Sequence, residues 1–494
     1  MKLRILIGTD ILLAYLMNTD YYEGIAVMFR WMRLTGARKM IDAGTIAILT
    51  HFVKTDVLAR LRGFDVVEIV PRMSPFYYQL SRMQIGKGDE RALLMQLNML
   101  EQGHVDLLIT ENQLTHELAK RRYIDDKVYT IEEYIETCAA DHRELDMMRG
   151  IELQEVPFGT LSLTDKFFRT FIDEYQPYYF EWFKKKKDDP VFVAKDREGN
   201  IHALLKLKLE TETERYSDIN PALSPAKRLK ISSLKVDYTG QKIGERFMRI
   251  VFDKAIREKV TEIYITVFAN SAQRKRLVGM IQKWGFNYWG LKDDKEEVYV
   301  RNMQKHVMPV WTACYPFAYR NYPALMMPVG RTFSDMLVPS SDDRQQKEDY
   351  EPYRHAIRKM VIIESTSEIP QKGWNLLFYR KNENALSGTI VASGIVDEVF
   401  DNFETEEHFL NRCKKRSIFS VDELHDYWVR FHGKLVVVCF LHNYSFGDES
   451  RCCPIEKIGL QPDRLMNMNP VKLTQGQFDL LIEGTRYEKD IVVG

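Results

Sequence analysis

The chain is expected to fold as a multidomain α/β and α+β protein, with a parallel α/β domain first, a mixed-sheet domain next and a small β-rich domain last. Three observations point there. The chain has 494 residues, and at about 150 residues per domain that length favours about three domains over one large core. Its first 135 or so residues alternate short apolar runs with amphipathic helical stretches, and the pattern then changes to hairpins and longer β runs. Hydrophobic residues make up 45% and charged residues 28%, with a mean hydropathy of -0.33; this ordinary globular composition excludes disordered and collagenous classes.

In residues 1–140 strands are expected at LRILI (3–7), TIAIL (45–49), DVVEIV (65–70), VDLLIT (105–110) and KVYTI (127–131). Strands alternating with helices make a parallel sheet, and open parallel sheets gather functional side chains at the carboxyl ends of strands. Thr9, Asp10, Thr110, Glu111 and Asn112 fall there. An acidic stretch broken by Gly150, Pro157 and Gly159 then leads to a second domain over 150–304. That domain reads as a helix over 167–183, a hairpin around Asp196–Asn200, a strand at Leu229–Val236, a helix from Lys242 and a strand at Glu262–Phe268. Hairpins first and helical crossovers later imply a mixed sheet. Residues 305–354 hold Pro309, Pro316, Pro323, Pro328, Pro339 and a polar run, the composition of a connector. Residues 355–494 carry short β-rich runs at 374–380, 388–400 and 434–441.

No apolar run approaches the roughly 20 residues that a bilayer requires, so no membrane segment is expected. The first residues lack the small-residue cleavage site of a secretory signal, which points to a cytoplasmic protein. Six cysteines without a CxxC pair fit a reducing compartment, and eleven scattered histidines show no zinc-ligand spacing. Lys plus Arg and Asp plus Glu both total 70, so net charge selects no polyanionic partner. Neutrality is nevertheless a cancellation: residues 201–300 carry 19 basic and 13 acidic residues.

That basic block contains the most informative stretch, LKISSLKVDYTGQKIGERFMRIVFDKAI (229–256). A strand enters a turn at Asp237–Gly240, and a helix follows with Ile243, Phe247, Ile250 and Val251 on one face. Unpaired amides and the helix dipole make such a helix start an anion site; Gly240 and Gly244 let a pyrophosphate approach the backbone, and Lys242 and Arg246 add positive charge. A second strand, 262–268, leads through Asn270 to a basic helix and a Gly285-Phe286 turn.

This order resembles the GNAT acetyltransferase family, with Gln241, Gly244 and Arg246 on its Arg/Gln-x-x-Gly-x-Gly/Ala motif and Arg246 departing from the small final residue. The resemblance implies acetyl-CoA as cofactor, contacted by Leu234, Lys235, Val236, Gln241, Lys242, Ile243, Gly244, Glu245, Arg246 and Asn270. Acetyl transfer to an amine needs a deprotonated nucleophile, an oxyanion donor such as the Val236 amide and an acid for the departing thiolate. Ile281 stands where many relatives have a Tyr, which leaves Tyr299 as a substitute acid and Glu210 or Glu212 as base through water.

The first domain resembles a PIN domain, whose Mg2+ or Mn2+ needs converging carboxylates. The strand-end Asp-Thr-Asn of that family is Gly8-Thr9-Asp10 here, and its later Thr-x-Asp is Thr110-Glu111-Asn112, so two ligands are replaced. Asp10, Asp89, Asp106 and Glu111 are the remaining metal candidates, with Glu90 as an alternative to Asp89, and the scaffold reads as degenerate. The last stretch resembles PUA/ASCH-like domains, and the three-part order resembles multidomain bacterial PIN–GNAT proteins over nearly the full chain. The third resemblance implies RNA or tRNA contact through Arg380, Lys414, Lys415 and Arg416, with Tyr379 and Trp374 as stacking candidates. The combined expectation is an acetyl-CoA-dependent N-acetyltransferase acting on an RNA-associated amine, as in toxin-like relatives of toxin–antitoxin systems. The rivals are a metal-dependent ribonuclease with an accessory acyl-CoA-binding domain and a nonenzymatic RNA-binding regulator.

Overall fold

The computed structural model describes residues 2–17, 22–67, 73–75, 77–78, 90–142, 151–237, 240–268, 272–303, 311–330, 333–334, 355–365, 368–380, 388–414, 419–460 and 470–494. The chain divides into two compact units, one of Met1–Asp146 with short segments at 237–240 and 271–273, the other holding the remainder. Among the described residues no helix is long and apolar enough to cross a membrane.

The first unit is a parallel sheet of β1 (Arg4–Ile7), β2 (Arg38–Asp42), β3 (Asp65–Val67), β4 (Leu107–Ile109) and β5 (Val128–Tyr129), in the order β3-β2-β1-β4-β5. Ile5, Ile7 and Ile41 pack one face against helices α1 (Thr9–Met17) and α2 (Tyr22–Leu34), while Leu6, Met40 and Leu108 pack the other. Burial on both faces is what a parallel sheet requires.

Its second strand differs from expectation. TIAIL is not a strand but part of helix α3 (Ala43–Phe52), and RKMID forms β2 in its place. Asp42 decides the matter: its carboxylate accepts from the Thr45 amide at 2.7 Å and caps the helix, so the chain turns before the β-branched run begins. Gln96, on α4 (Glu90–Glu101), donates to the same carboxylate at 3.0 Å.

The second unit opens with an eight-stranded sheet of β6 (Glu152–Pro157), β7 (Pro190–Lys195), β8 (Ile201–Glu210), β9 (Ile219–Asn220), β10 (Arg228–Val236), β11 (Glu262–Val267), β12 (Asn287–Lys292) and β13 (Glu296–Asn302). The order is β6-β7-β8-β10-β11-β13-β12-β9. Neighbours are antiparallel except β10 and β11, which are parallel and joined through helix α5 (Ile243–Arg257). The helix expected over 167–183 is two short ones, Arg169–Glu174 and Tyr179–Lys185, separated at Pro177, whose ring and missing N–H interrupt a helix.

Residues 311–329, expected as connector, instead build into the unit. Helix Trp311–Cys314 lies in its core; β14 (Ala318–Tyr319) and β15 (Ala324–Val329) follow. β15 joins a six-stranded sheet with β16 (Arg358–Glu364), β17 (Asn375–Arg380), β18 (Ile390–Phe400), β19 (Leu435–Ser445) and β20 (Val471–Leu473), in the order β16-β19-β18-β17-β15-β20, and β14 pairs with β21 (Val492–Val493). One core cluster runs through both sheets: Phe247, Val251 and Phe252 of α5 share it with Tyr315, Ile357 and Leu441.

Removing the Asp42 carboxylate leaves the α3 amide and Gln96 without their buried acceptor. Asp42→Ala is expected to destabilise the first unit by about 1–3 kcal/mol. Asp65→Ala, which breaks an Arg38 pair half exposed on both sides, is expected to change stability by less than about 1 kcal/mol. Hydrogen exchange of the β1 and β2 amides measures both.

Candidate functional site

β10 and β11 pair from Arg228↔Glu262 to Ile231↔Ile265 and no further. Beyond that point β10 continues to Val236 against β8, and β11 continues to Val267 against β13. Each strand keeps its outer neighbour while the two part from each other. A β-bulge between Ile231 and Ser233 marks the divergence, since an extra residue bends one strand away. The wedge so formed presents backbone N–H and C=O groups that need partners. An extended, amide-bearing ligand could supply them as a strand would.

The amino end of α5 follows the wedge. Lys242 precedes the helix in the left-handed region (φ 52°) and supplies no side-chain cap. The helical ladder starts with Arg246 N–H donating to Lys242 C=O at 2.9 Å, so the amides of Ile243, Gly244 and Glu245 are the uncommitted donors of the first turn. A Cβ on Gly244 would sit 3.0 Å from Met280 Sδ on helix α6 (Ala272–Lys283), so the cleft wall there admits no side chain without displacement of that sulfur. Bare amides, a helix dipole and a glycine floor suit a diphosphate.

The expected cofactor contacts divide by what their side chains do. Leu234 and Ile243 are buried in the core beside α5, and Gln241, Lys242 and Gly244 are buried in the turn and first helical residues. The Lys235 ammonium turns to the other sheet face, donating to Phe167 C=O at 2.8 Å and lying 4.5 Å from the Phe167 ring. Glu245 accepts from the Arg358 amide of β16. Lys235 and Glu245 therefore offer the wedge their backbone and not their charge. Arg246 is half-buried on the first helical turn, and Asn270 lies outside the described residues. One contact was not expected: Arg276 of α6 donates from Nη2 to Val236 C=O at 2.7 Å, across the mouth of the wedge. The basic run Gln273-Arg274-Lys275-Arg276 carried that signal in the sequence, without saying which member turns inward.

Of the acid–base candidates, Glu210 is consumed. It accepts from Tyr216 at 3.0 Å, Tyr264 at 2.9 Å and Lys208 at 2.9 Å, a buried network that ties β8 to β11. Glu212 lies exposed in a turn. Tyr299 stands on β13 opposite Ile265, one strand from the vertex of the wedge, and donates to Glu297 at 2.6 Å. Burial first, and then the Glu297 carboxylate, push its pKa up, so the hydroxyl stays protonated at neutral pH.

Among the described residues the carboxyl edge of the first sheet assembles no metal centre. Asp10 accepts from Thr110 Oγ1 at 2.9 Å and from the Glu111 amide at 2.7 Å, and Glu111 itself accepts from the Ile131 amide at 2.8 Å. A side chain on Gly8 would run into Asp10 Oδ1 and come within 2.9 Å of Thr110 Cβ. Asp106 stands at the opposite edge, 2.7 Å from Arg4. Burial works to raise its carboxyl, but the hydrogen bonds and charge of Arg4 outweigh that and hold it below the usual range. Asp42, which the sequence reading passed over, is occupied by α3 and Gln96. Asp89 and the Glu90 side chain lie outside the description. Among the described residues no group of three or more His, Cys, Asp or Glu is placed to hold a metal ion, and the residues present do not fit Mg2+ or Mn2+.

Of the expected RNA contacts, Arg380 and Lys414 are described. Arg380 is 9% exposed and donates from Nε to Ser334 at 2.6 Å, which corrects its reading as a surface contact, and Trp374 and Tyr379 are buried in the core. Lys414 ends a helix half-buried, and Lys415 and Arg416 lie outside the described residues.

No protein-family description and no curated protein matches the chain. Solved structures do match part of it. The NatC complex bound to Gag peptide and CoA aligns at 16% identity over 30% of this chain and 96% of that one, with a TM-score of 0.21. Arabidopsis thaliana Naa50 with a bisubstrate analogue aligns at 17% over 31% and 99%, with a TM-score of 0.22. An acetyltransferase of the GNAT family from Staphylococcus aureus Mu50 aligns at 13% over 31% and 98%, with a TM-score of 0.24.

Burial raises the Asp10 pKa, with the Glu111 amide and Thr110 opposing it. A carboxyl whose folded-state pKa is raised makes the fold less stable as pH rises through that pKa, because the ionised form is the one penalised. Asp10→Asn removes the titration but keeps one acceptor oxygen for two donors, so its unfolding midpoint relative to the wild type is expected to improve as pH rises above the ordinary Asp value of 3.8, on top of a pH-independent loss of one hydrogen bond. Denaturation followed across pH 3 to 7 tests the sign.

Proposed function

We propose that the chain is an acetyl-CoA-dependent N-acetyltransferase of GNAT type, with its transferase module over residues 150–304. The observation that carries the reading is the parting of β10 from β11 beside the uncapped start of α5. The wedge accepts the amide-bearing arm of the cofactor along the backbone of Leu234–Val236, and the amides of Ile243–Glu245 receive its diphosphate. With the arm in place the thioester lies toward the vertex. A neutral acceptor amine attacks the thioester carbonyl there, a strand amide stabilises the oxyanion, and the C–S bond breaks to release CoA; the proton the nitrogen sheds goes to water, from which the donor to the thiolate is in turn reprotonated. Tyr299, kept protonated and one strand from the vertex, is the donor assigned to the departing thiolate. The acceptor is proposed only as an amine.

Under this reading the PIN-like residues 1–140 and the PUA/ASCH-like residues 355–494 are accessory, without a nuclease step. Calorimetry of acetyl-CoA with the intact protein tests the proposal. Gly244→Glu sets a carboxylate beside the diphosphate amides and the Met280 sulfur, so affinity is expected to fall at least about tenfold. Equal binding by both proteins overturns the assignment of this helix start. Incubation of cell extract with labelled acetyl-CoA then shows whether the acceptor is a protein, an RNA or a small amine.

A further inference from the structure

Arg276 stands at the mouth of the wedge, hydrogen-bonded to the last residue of β10. It lies one helical turn before Met280 on α6, so the two side chains share a face. Met280 abuts Gly244 at the start of α5, with 3.0 Å between its sulfur and the position of a Gly244 Cβ. Arg276 Nη2 in turn holds the carbonyl of Val236, the last residue of β10, at 2.7 Å. These contacts set one guanidinium between the open end of the wedge and the donors of the α5 amino end.

We propose that Arg276 is a cofactor-exchanged residue: in the empty protein it satisfies the Val236 carbonyl, and on binding it releases that carbonyl and takes a phosphate oxygen of the cofactor. The inference rests on the acyl-CoA reading above. Its chemistry is that of competing acceptors, the Val236 carbonyl being one of those Arg276 engages in the empty protein. A neutral backbone carbonyl gives one hydrogen bond, whereas a diphosphate gives charge-assisted and bidentate ones, which are about twice as strong. A planar guanidinium with five donors suits the second partner better than the first. The carbonyl it leaves is not orphaned, because the amide-bearing arm of the cofactor brings its own N–H along that edge. Of the neighbouring charges, Lys235 is turned to Phe167 and Glu245 would repel a phosphate if it left the Arg358 amide, which leaves Lys242 and Arg246 as the cations that share the helix start with Arg276.

The role predicts opposite responses to two probes. Acetyl-CoA carries the diphosphate, and S-acetylpantetheine carries the same arm and thioester without the diphosphate. By calorimetry, Arg276→Ala should bind acetyl-CoA about tenfold more weakly and S-acetylpantetheine as well as or better than the wild type, since the competing guanidinium is gone. Arg276→Gln keeps a donor for Val236 but no charge; it should lose acetyl-CoA affinity similarly while holding the wild-type unfolding midpoint, which covers the case in which the alanine variant folds poorly. If either folded variant loses affinity for both probes equally, Arg276 is a structural tie between α6 and β10 and the proposal is overturned. Unchanged acetyl-CoA binding in both variants overturns it as well. A wild-type protein that binds neither probe overturns the acyl-CoA reading itself, and the role of Arg276 with it.

Discussion

Everything proposed for the second unit depends on two parallel strands that cease to be neighbours. Hydrogen-bonded pairing of β10 and β11 ends at Ile231 and Ile265, yet both strands stay anchored on their far sides. That asymmetry holds each side of the opening to a different neighbour. A pair of strands that merely frayed would close on the bare backbone, whereas these are held apart by β8 and β13. The cleft is thus enforced by pairing elsewhere, and the helix that follows β10 presents its unpaired amides beside it.

The same accounting of polar groups explains what the first unit does not offer. A parallel sheet brings acids to its carboxyl edge, and a hard cation would want them bare. Here the Thr110 hydroxyl and the Glu111 amide engage Asp10, while Thr45 and Gln96 engage Asp42. Each carboxylate is held by internal donors, which is how a buried acid is stabilised without a metal. The missing side chain at Gly8 belongs to this arrangement, since the volume it would fill is taken by Asp10 and Thr110. Protonic and hydrogen-bonding demands that a cation would have met are met by the protein itself.

Much of this was legible in the chain, and the failures have physical reasons. Strand, turn, helix and strand over 229–268 were readable because periodicity changes sharply at the Asp237–Gly240 turn. TIAIL misled because its β-branched residues suit a strand, while one preceding carboxylate caps it into a helix. RKMID is not among the expected strands, although pairing on both sides buries Met40, Ile41 and Asp42. Glu210 as base and Arg380 as surface contact failed for a shared reason: local sequence does not reveal which long polar side chain finds partners distant in the chain. Tyr264 lies 54 residues from Glu210, and Ser334 lies 46 from Arg380. The inward turn of Arg276 toward Val236 is of that kind too.

The core that α5 shares with Tyr315, Ile357 and Leu441 bears on how such a protein can evolve. An eight-stranded sheet cut at residue 304 would leave the apolar flank of α5 facing water, so the last 190 or so residues are not a removable attachment. Shuffling that swapped the C-terminal sheet for another would have to rebuild this flank at the same time. Substitutions on β16 and β19 are therefore expected to drift in concert with those on α5, and the two sheets to be inherited as a single heritable piece.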